Sequence, residues 1–481
     1  MKDPRNLSLV MDFYELTMSQ CYFNLDKDKE VVFDMFYRKN PDEGGLCIFC
    51  GLEQVIEYVQ NLKFDQEDIE YLRSLNQFSD GFLDYLSDFK FTGDIYAIKE
   101  GTPVFPHEPL VRVKAPIIQA QLVETALLLA VNHQTLIATK ARRVAQAADG
   151  RAVMEFGARR AHNFDAAIYG ARAAYIGGAV GSATTYAGKA YGLPVLGTMA
   201  HSFIQSFDTE YDAFMYYAKT CPDACTLLID TYSTLKSGIK NAIKVAKDYL
   251  EPNGHRLKGV RIDSGDMAYL TKKVRKELDD AGMQDCGIVV SNSLDEYIIE
   301  SLIHQQGAQI NSFGVGENLI CSKNSPVFGG VYKMVAIEKD GEIIPKIKIS
   351  DNVEKVTNPG YKNLFRIYDK ESGMAEGDLM ALYDETFDTN QDLTIYHPGN
   401  RWKYKVFKAG TYEMRDLLEP IFVKGELVYK QPTLEEIRDY SKEELKTIWD
   451  EIKRFAYPQE YYVDLTEKLL NLKMDMLDDF R

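Results

Sequence analysis

Gly259-Val260-Arg261-Ile262-Asp263-Ser264-Gly265-Asp266 is a short apolar run that breaks at once into a polar, glycine-containing turn, and the middle of the chain repeats this phrase. Before it come Ala152-Val153-Met154-Glu155-Phe156 into Gly157-Ala158-Arg159-Arg160, Pro194-Val195-Leu196 into Gly197-Thr198-Met199-Ala200-His201, and Thr226-Leu227-Leu228-Ile229 into Asp230-Thr231. After it come Gly287-Ile288-Val289-Val290 into Ser291-Asn292, and Ile310-Asn311-Ser312-Phe313 into Gly314-Val315-Gly316-Glu317-Asn318. Helix-like stretches separate the runs. Short apolar strands alternating with helices predict βαβ units around a sheet buried on both faces. A barrel and an open sheet both fit. In either, ligands bind beyond the carboxyl ends of the strands, so Arg159, His201, Asp230, Asp263, Asn292 and Gly316 are expected at one mouth. One polar turn after a strand is ordinary; the whole series is harder to assign to loop composition alone.

At 481 residues the chain is too long for one compact core, and two or three domains are expected. A formal charge of -16 and a pI near 5.1 argue against a general binder of nucleic acid or anionic membranes, because no excess of cations neutralises phosphates. An anionic substrate then needs a local basic pocket. No stretch reaches the roughly eighteen apolar residues of a membrane span, and Met1-Lys2-Asp3-Pro4-Arg5-Asn6 lacks a signal peptide's hydrophobic core, so a cytoplasmic protein is expected. Seven cysteines, an odd number scattered from Cys21 to Cys321, predict reduced thiols rather than a disulfide framework. Cys47 and Cys50 have the spacing of half a zinc knuckle, but large apolar residues lie between them and no histidine is close.

Upstream of the repeated segment, an amphipathic helix is expected over Asp12 to Phe23, a strand over Val31 to Tyr37, a helix over Leu52 to Leu62 and a strand-rich edge over Gly101 to Pro116. Apolar residues at helical spacing from Gln119 to Ala148 predict one long helix or two, leading into the βα segment. Downstream of Val335 the pattern becomes charged and hairpin-like, with an Asp-Gly turn at Lys339-Asp340-Gly341-Glu342. Thr433 with Glu436, and Ser441 with Glu444, have capping-box spacing, and Met474 to Arg481 reads as a solvated helix end.

Several turns carry chemistry. His201, framed by Gly197, Thr198 and Ser202, could serve as base, metal ligand or phosphoryl acceptor. Arg159 and Arg160 end another strand; a guanidinium fork suits carboxylate or phosphate, although adjacent arginines commonly form an exposed salt-bridging face. Asp263 and Asp266, around Gly265 and beside Arg261, can hold ribose hydroxyls, a magnesium ion, or both; the plainer alternative is an Asx turn with a helix N-cap. Gly314 and Gly316 could present backbone N–H groups to a phosphate.

Taken together, Asp12-Phe13-Tyr14-Glu15-Leu16-Thr17-Met18, Glu155-Phe156-Gly157-Ala158-Arg159-Arg160-Ala161, Gly197-Thr198-Met199-Ala200-His201-Ser202-Phe203, Arg261-Ile262-Asp263-Ser264-Gly265-Asp266 and Ser291-Asn292 resemble the nicotinate phosphoribosyltransferase family, a type II phosphoribosyltransferase family. The resemblance runs from the first helix to at least Lys333 and is looser beyond about residue 345. It implies an irregular α/β barrel with a second α+β domain formed from the N- and C-terminal segments. The barrel is expected over 119–340, with 1–118 and 341–481 forming the second domain. It implies ATP-coupled transfer of phosphoribosyl from phosphoribosyl pyrophosphate to nicotinate, in NAD salvage, with magnesium as cofactor and ATP as co-substrate. It further implies a homodimer in which Tyr14 of one subunit and Phe156 of the other sandwich the pyridine ring.

On the same resemblance Arg159 would pair with the nicotinate carboxylate or a phosphate, His201 would be phosphorylated by ATP, and Asp263 would bind the ribose hydroxyls with Arg261 nearby. Gly197 and Ser202 would border the substrate, while Ser291, Asn292, Gly314 and Gly316 would hold phosphates and Asp266 could meet magnesium. Asp230 receives no role. Two rivals remain: a nicotinamide phosphoribosyltransferase, for which an amide-reading acid is not evident near Asp165 and Arg172, and a metal-dependent barrel aldolase or isomerase using Asp263 and Asp266.

Overall fold

A computed structural model describes residues 5–350 and 355–479, and the chain divides into two compact units. Ile137–Pro326 form one; Met1–Leu136 together with Val327–Arg481 form the other.

The first unit holds a parallel sheet in the order Gly181–Ser182, Ala152–Glu155, Ser312–Val315, Gly287–Ser291, Gly259–Ile262, Thr226–Leu228. A parallel bridge from Ser182 to Val195 adds the Pro194–Leu196 run beyond the Gly181–Ser182 edge. Neighbours therefore follow chain order around a ring, and Ser312–Val315 closes back onto Ala152–Glu155. One seam stays open: no backbone pairing joins the Val195 run to Thr226–Leu228 among the described residues. This is the irregular barrel. Its strands are rich in buried Val, Leu and Ile because helices cover them on the outside while neighbouring strands fill the inside. Gly238, at the start of the Ile239–Val245 helix, permits one such close approach: a Cβ there would lie 1.8 Å from the Ile229 carbonyl oxygen.

The second unit joins the two chain ends in one sheet. Glu30–Tyr37 pairs antiparallel with Gly330–Lys339 and with Val111–Pro116, and Asp94–Ala97 pairs with Glu419–Val423. A further six-stranded sheet contains Lys362–Asp369, Ala375–Leu382 and Val463–Leu465. The Asp-Gly turn forms as the sequence indicates, with Asp340 and Gly341 both at positive φ between paired Lys339 and Glu342.

The compact barrel unit is shorter than the expected 119–340 at both ends. Ile117–Leu122 packs on the first helix, Phe13–Leu25, and Gly330–Lys339 belongs to the Glu30–Tyr37 sheet, with the Tyr332 hydroxyl donating to the Ala120 carbonyl at 2.8 Å. Thr433 and Glu436 form the capping box, whereas Ser441 lies buried inside the Leu434–Lys446 helix and starts nothing. The expected helical tail is observed as Glu467–Asp478; Phe480 and Arg481 lie outside the described residues, as do Met1 to Pro4 of the N-terminal stretch. Among the described residues no helix is long and apolar enough to cross a membrane, and all seven cysteines are free.

Candidate active site

The strand-end turns of the barrel unit meet through side chains. Arg261 and Asp263 lie two residues apart at the end of Gly259–Ile262, so the strand's alternation sends both to the same side. The Arg261 guanidinium donates to Asp263 Oδ1 at 2.9 Å, to Ser291 Oγ at 2.9 Å and to Thr198 Oγ1 at 3.2 Å. The Ser291 hydroxyl in turn donates to Asp263 Oδ1. One cation thus fixes three turns, and its carbon lies 5.6 Å from the centre of the Phe156 ring, within cation–π range.

Asp230 supplies the second junction. Its side chain is only 1% exposed, and its two oxygens serve different turns: Oδ1 lies 3.2 Å from His201 Nε2, while Oδ2 accepts the Asp263 backbone N–H at 2.9 Å and the Ser264 hydroxyl at 2.6 Å. A carboxylate can only accept, so His201 Nε2 is the donor in this pair, and in the neutral ring Nδ1 is then the acceptor. The imidazole is 41% exposed and open to a ligand. His201 follows the Val195 run and Asp230 follows Thr226–Leu228, so this pair bridges the seam that backbone hydrogen bonds leave open.

Glu155 does similar work at the other side of the ring. It is fully buried at the end of its strand and accepts from the Gly157 N–H and, at 2.5 Å, from the Ser182 hydroxyl. Burial raises its pKa against the opposing pull of those two bonds. Past Gly157 the chain carries Arg159 outward, exposed and with no ion-pair partner among the described residues, while Arg160 Nε lies 3.7 Å from Glu317 Oε2.

The other expected residues are spread over several elements. Asp266 caps the Met267–Asp280 helix, accepting the Tyr269 N–H at 2.8 Å. Gly314 lies inside a strand, where a Cβ would stand 2.6 Å from Phe156 Cδ2; its lack of a side chain makes room for that ring. Gly197 has nothing within 4 Å of an added Cβ, so packing does not demand glycine there. Gly316 precedes the short Glu317–Ile320 helix, and Ser202 is exposed on His201–Gln205. Asn292 and Ser293 are exposed at φ of 88° and 52°. Tyr14 belongs to the other unit, where its hydroxyl faces Glu124; burial and that neighbouring charge raise its pKa. Among the described residues no group of three or more His, Cys, Asp or Glu could hold a metal ion. The cap uses one Asp266 oxygen, Oδ1.

Sequence reasoning gave no task to Asp230, Thr198, Glu155 or Asn318. Each stood in a quoted run, but the partners that define it come from other turns.

Comparison with known proteins shows the family. The nicotinate phosphoribosyltransferase N-terminal-domain model matches residues 9–132, the family model matches 151–387 and the C-terminal-domain model matches 361–473. A Bacillus subtilis (strain 168) nicotinate phosphoribosyltransferase is 45% identical over 479 residues, covering 99% of this chain and 96% of that one. A Mycobacterium tuberculosis nicotinate phosphoribosyltransferase is 38% identical over 457 residues, covering 94% and 90%. The crystal structure of human nicotinic acid phosphoribosyltransferase superposes with a TM-score of 0.85 at 27% identity, covering 98% of this chain and all of the other. The chain belongs to the nicotinate phosphoribosyltransferase family.

Proposed function

We propose that this protein transfers phosphoribosyl from phosphoribosyl pyrophosphate to nicotinate, giving nicotinate mononucleotide and pyrophosphate, and that ATP drives the transfer through His201 as the first step of NAD salvage from nicotinate in the cytoplasm. The observation that carries the coupling is Asp230, one buried carboxylate bonded both to His201 and to the Asp263 turn. Nδ1 of His201 attacks the terminal phosphorus of ATP and ADP departs with the electrons of the broken P–O bond. The phosphorylated ring is cationic while Nε2 keeps its proton, and Asp230 stabilises that charge. Hydrolysis of the N–P bond returns the histidine and releases phosphate.

In the transfer itself the pyridine nitrogen bonds to C1 of the ribose as the bond to pyrophosphate breaks. Positive charge grows on the sugar, and Asp263, held by Arg261 and Ser291, is the carboxylate suited to it. Arg159, exposed and without an ion-pair partner among the described residues, suits the nicotinate carboxylate, which favours nicotinate over the neutral amide. Magnesium would be held by the substrate phosphates and would offset their charge. Tyr14, on the other unit, fits a homodimer whose sites are completed in trans; mixing Tyr14→Ala and His201→Ala chains would then restore part of the activity that each lacks alone.

The test of the reading is product formation from nicotinate and from nicotinamide at equal concentration, with and without ATP, in the parent and in His201→Ala. Nicotinate turnover stimulated by ATP in the parent, and slow turnover indifferent to ATP in His201→Ala, are expected. An ATP-stimulated His201→Ala protein would remove the assigned role.

A further inference from the structure

We infer that Asn318 is a positioning residue for the turn Asn292–Asp295, and that it does so by turning a row of backbone N–H groups toward a phosphate; the inference rests on the phosphoribosyl-transfer reading above. Asn318 is 8% exposed, and its Nδ2 donates to two consecutive carbonyls, Ser293 at 3.0 Å and Leu294 at 3.1 Å. It stands just beyond Ser312–Val315, the parallel neighbour of Gly287–Ser291, with Ser291 opposite Gly314. One amide therefore ties together the turns beyond two adjacent strands.

The turn so held has its own requirement. Asn292 and Ser293 both lie in the left-handed region, which residues with a Cβ rarely adopt, and two in succession need outside support. Across a planar trans peptide the C=O and N–H point opposite ways. Fixing the Ser293 and Leu294 carbonyls on Asn318 therefore directs the N–H groups of Leu294 and Asp295 away from it. The N–H groups of Asn292, Ser293, Leu294 and Asp295 have no partner among the described residues. Consecutive uncommitted donors of this kind suit the oxygens of a phosphate or pyrophosphate. The far end of the turn is anchored independently: the buried Glu296 carboxylate meets Lys140 Nζ and Arg143 Nε, each at 2.8 Å. Asn318 touches none of the reacting atoms and acts through the backbone it holds.

The experiment uses the full-length protein. Asn318→Ala is compared with the parent for KM of phosphoribosyl pyrophosphate, KM of nicotinate, kcat, Kd of inorganic pyrophosphate by calorimetry, and hydrogen exchange over residues 292–295. Expected are rises of about tenfold in the phosphoribosyl pyrophosphate KM and the pyrophosphate Kd, the factor that one net hydrogen bond represents, with kcat and the nicotinate KM within about twofold. Exchange over the turn should quicken. Asn318→Asp, which sets an acceptor against two carbonyls, should lose more. If Asn318→Ala does not fold, Asn318→Ser returns one donor and should show a rise of roughly threefold. An unchanged phosphoribosyl pyrophosphate KM overturns the assignment, and so does an equal rise in both KM values with a fall in Tm. A parent that transfers no phosphoribosyl overturns the reading beneath it instead.

Discussion

Replacing Asp230 with Asn preserves the shape of the side chain and changes what faces His201. Two donors, the Asp263 N–H and the Ser264 hydroxyl, converge on one Asp230 oxygen, so the amide oxygen of the variant will take that position and its NH2 will face His201 Nε2. Nε2 must then accept, the ring proton moves to Nδ1, and the nitrogen assigned to attack ATP loses its lone pair. The phosphorylated ring also loses the carboxylate that balances its charge. A hydrogen bond to a charged group contributes about 1.5–3 kcal/mol, which corresponds to roughly 10- to 150-fold in phosphohistidine formation. ATP-free transfer should fall by less than about threefold, because both donors on the Asp263 turn keep an acceptor. Rapid quench with labelled ATP, scoring acid-labile phosphate, measures the first quantity, and nicotinate mononucleotide formed without ATP measures the second. Phosphorylation of Asp230→Asn at the parental rate, or equal loss in the two assays, would refute the reasoning.

Two further outcomes follow from local geometry. Gly314→Ala places a Cβ 2.6 Å and 2.8 Å from Phe156 ring atoms, so the ring must turn; the nicotinate KM should rise and stability should fall by about 1–3 kcal/mol, whereas Gly197→Ala, with open space around its Cβ, should cost less than about 0.5 kcal/mol. Denaturant melts and KM values for the pair check this, and equal effects would count against it. Burial lifts the Glu15 carboxyl to about 7, with the Thr125 hydrogen bond opposing and the Glu124 charge adding. The folded state holds that proton more tightly than the unfolded chain, so stability is full below the ordinary carboxyl range and is lost as pH rises through about 7. Glu15→Gln should melt higher than the parent at pH 8 and converge with it toward pH 5; a difference in Tm independent of pH would contradict the assignment.

The strand-to-turn phrase was legible because both of its parts are local: apolar runs announce buried strands, and polar glycine turns announce their ends. Of the six residues its repetition placed at one mouth, His201, Asp230 and Asp263 are joined by hydrogen bonds, and Arg261 and Ser291 bond to Asp263 beside them. What a turn does is a different kind of information. Asp230 looks like any aspartate after a strand until His201, Asp263 and Ser264 arrive from separate turns to share its oxygens. Asp266, at a spacing that suits metal or ribose, also caps its own helix, where it accepts the otherwise unsatisfied Tyr269 N–H. Gly314 reads as a phosphate loop in a string of letters and as space for an aromatic ring in three dimensions. The limits of the barrel unit were blurred because Gly330–Lys339 is one more strand following the barrel strands in the chain, and only its antiparallel partner at Glu30–Tyr37 places it elsewhere.

That pairing sets a timetable for synthesis. Val31 waits for Ile337 and Ala97 waits for Glu419, so the sheet built from both chain ends cannot close while residues 137–326 are being made. At the usual 5–20 residues per second the early strands are exposed for roughly 15–60 s, with unpaired edges open to other chains. The barrel unit, contiguous in the chain, can fold during that interval. A nascent chain halted just after Pro326 should therefore contain a protease-resistant core and an N-terminal segment that needs a chaperone.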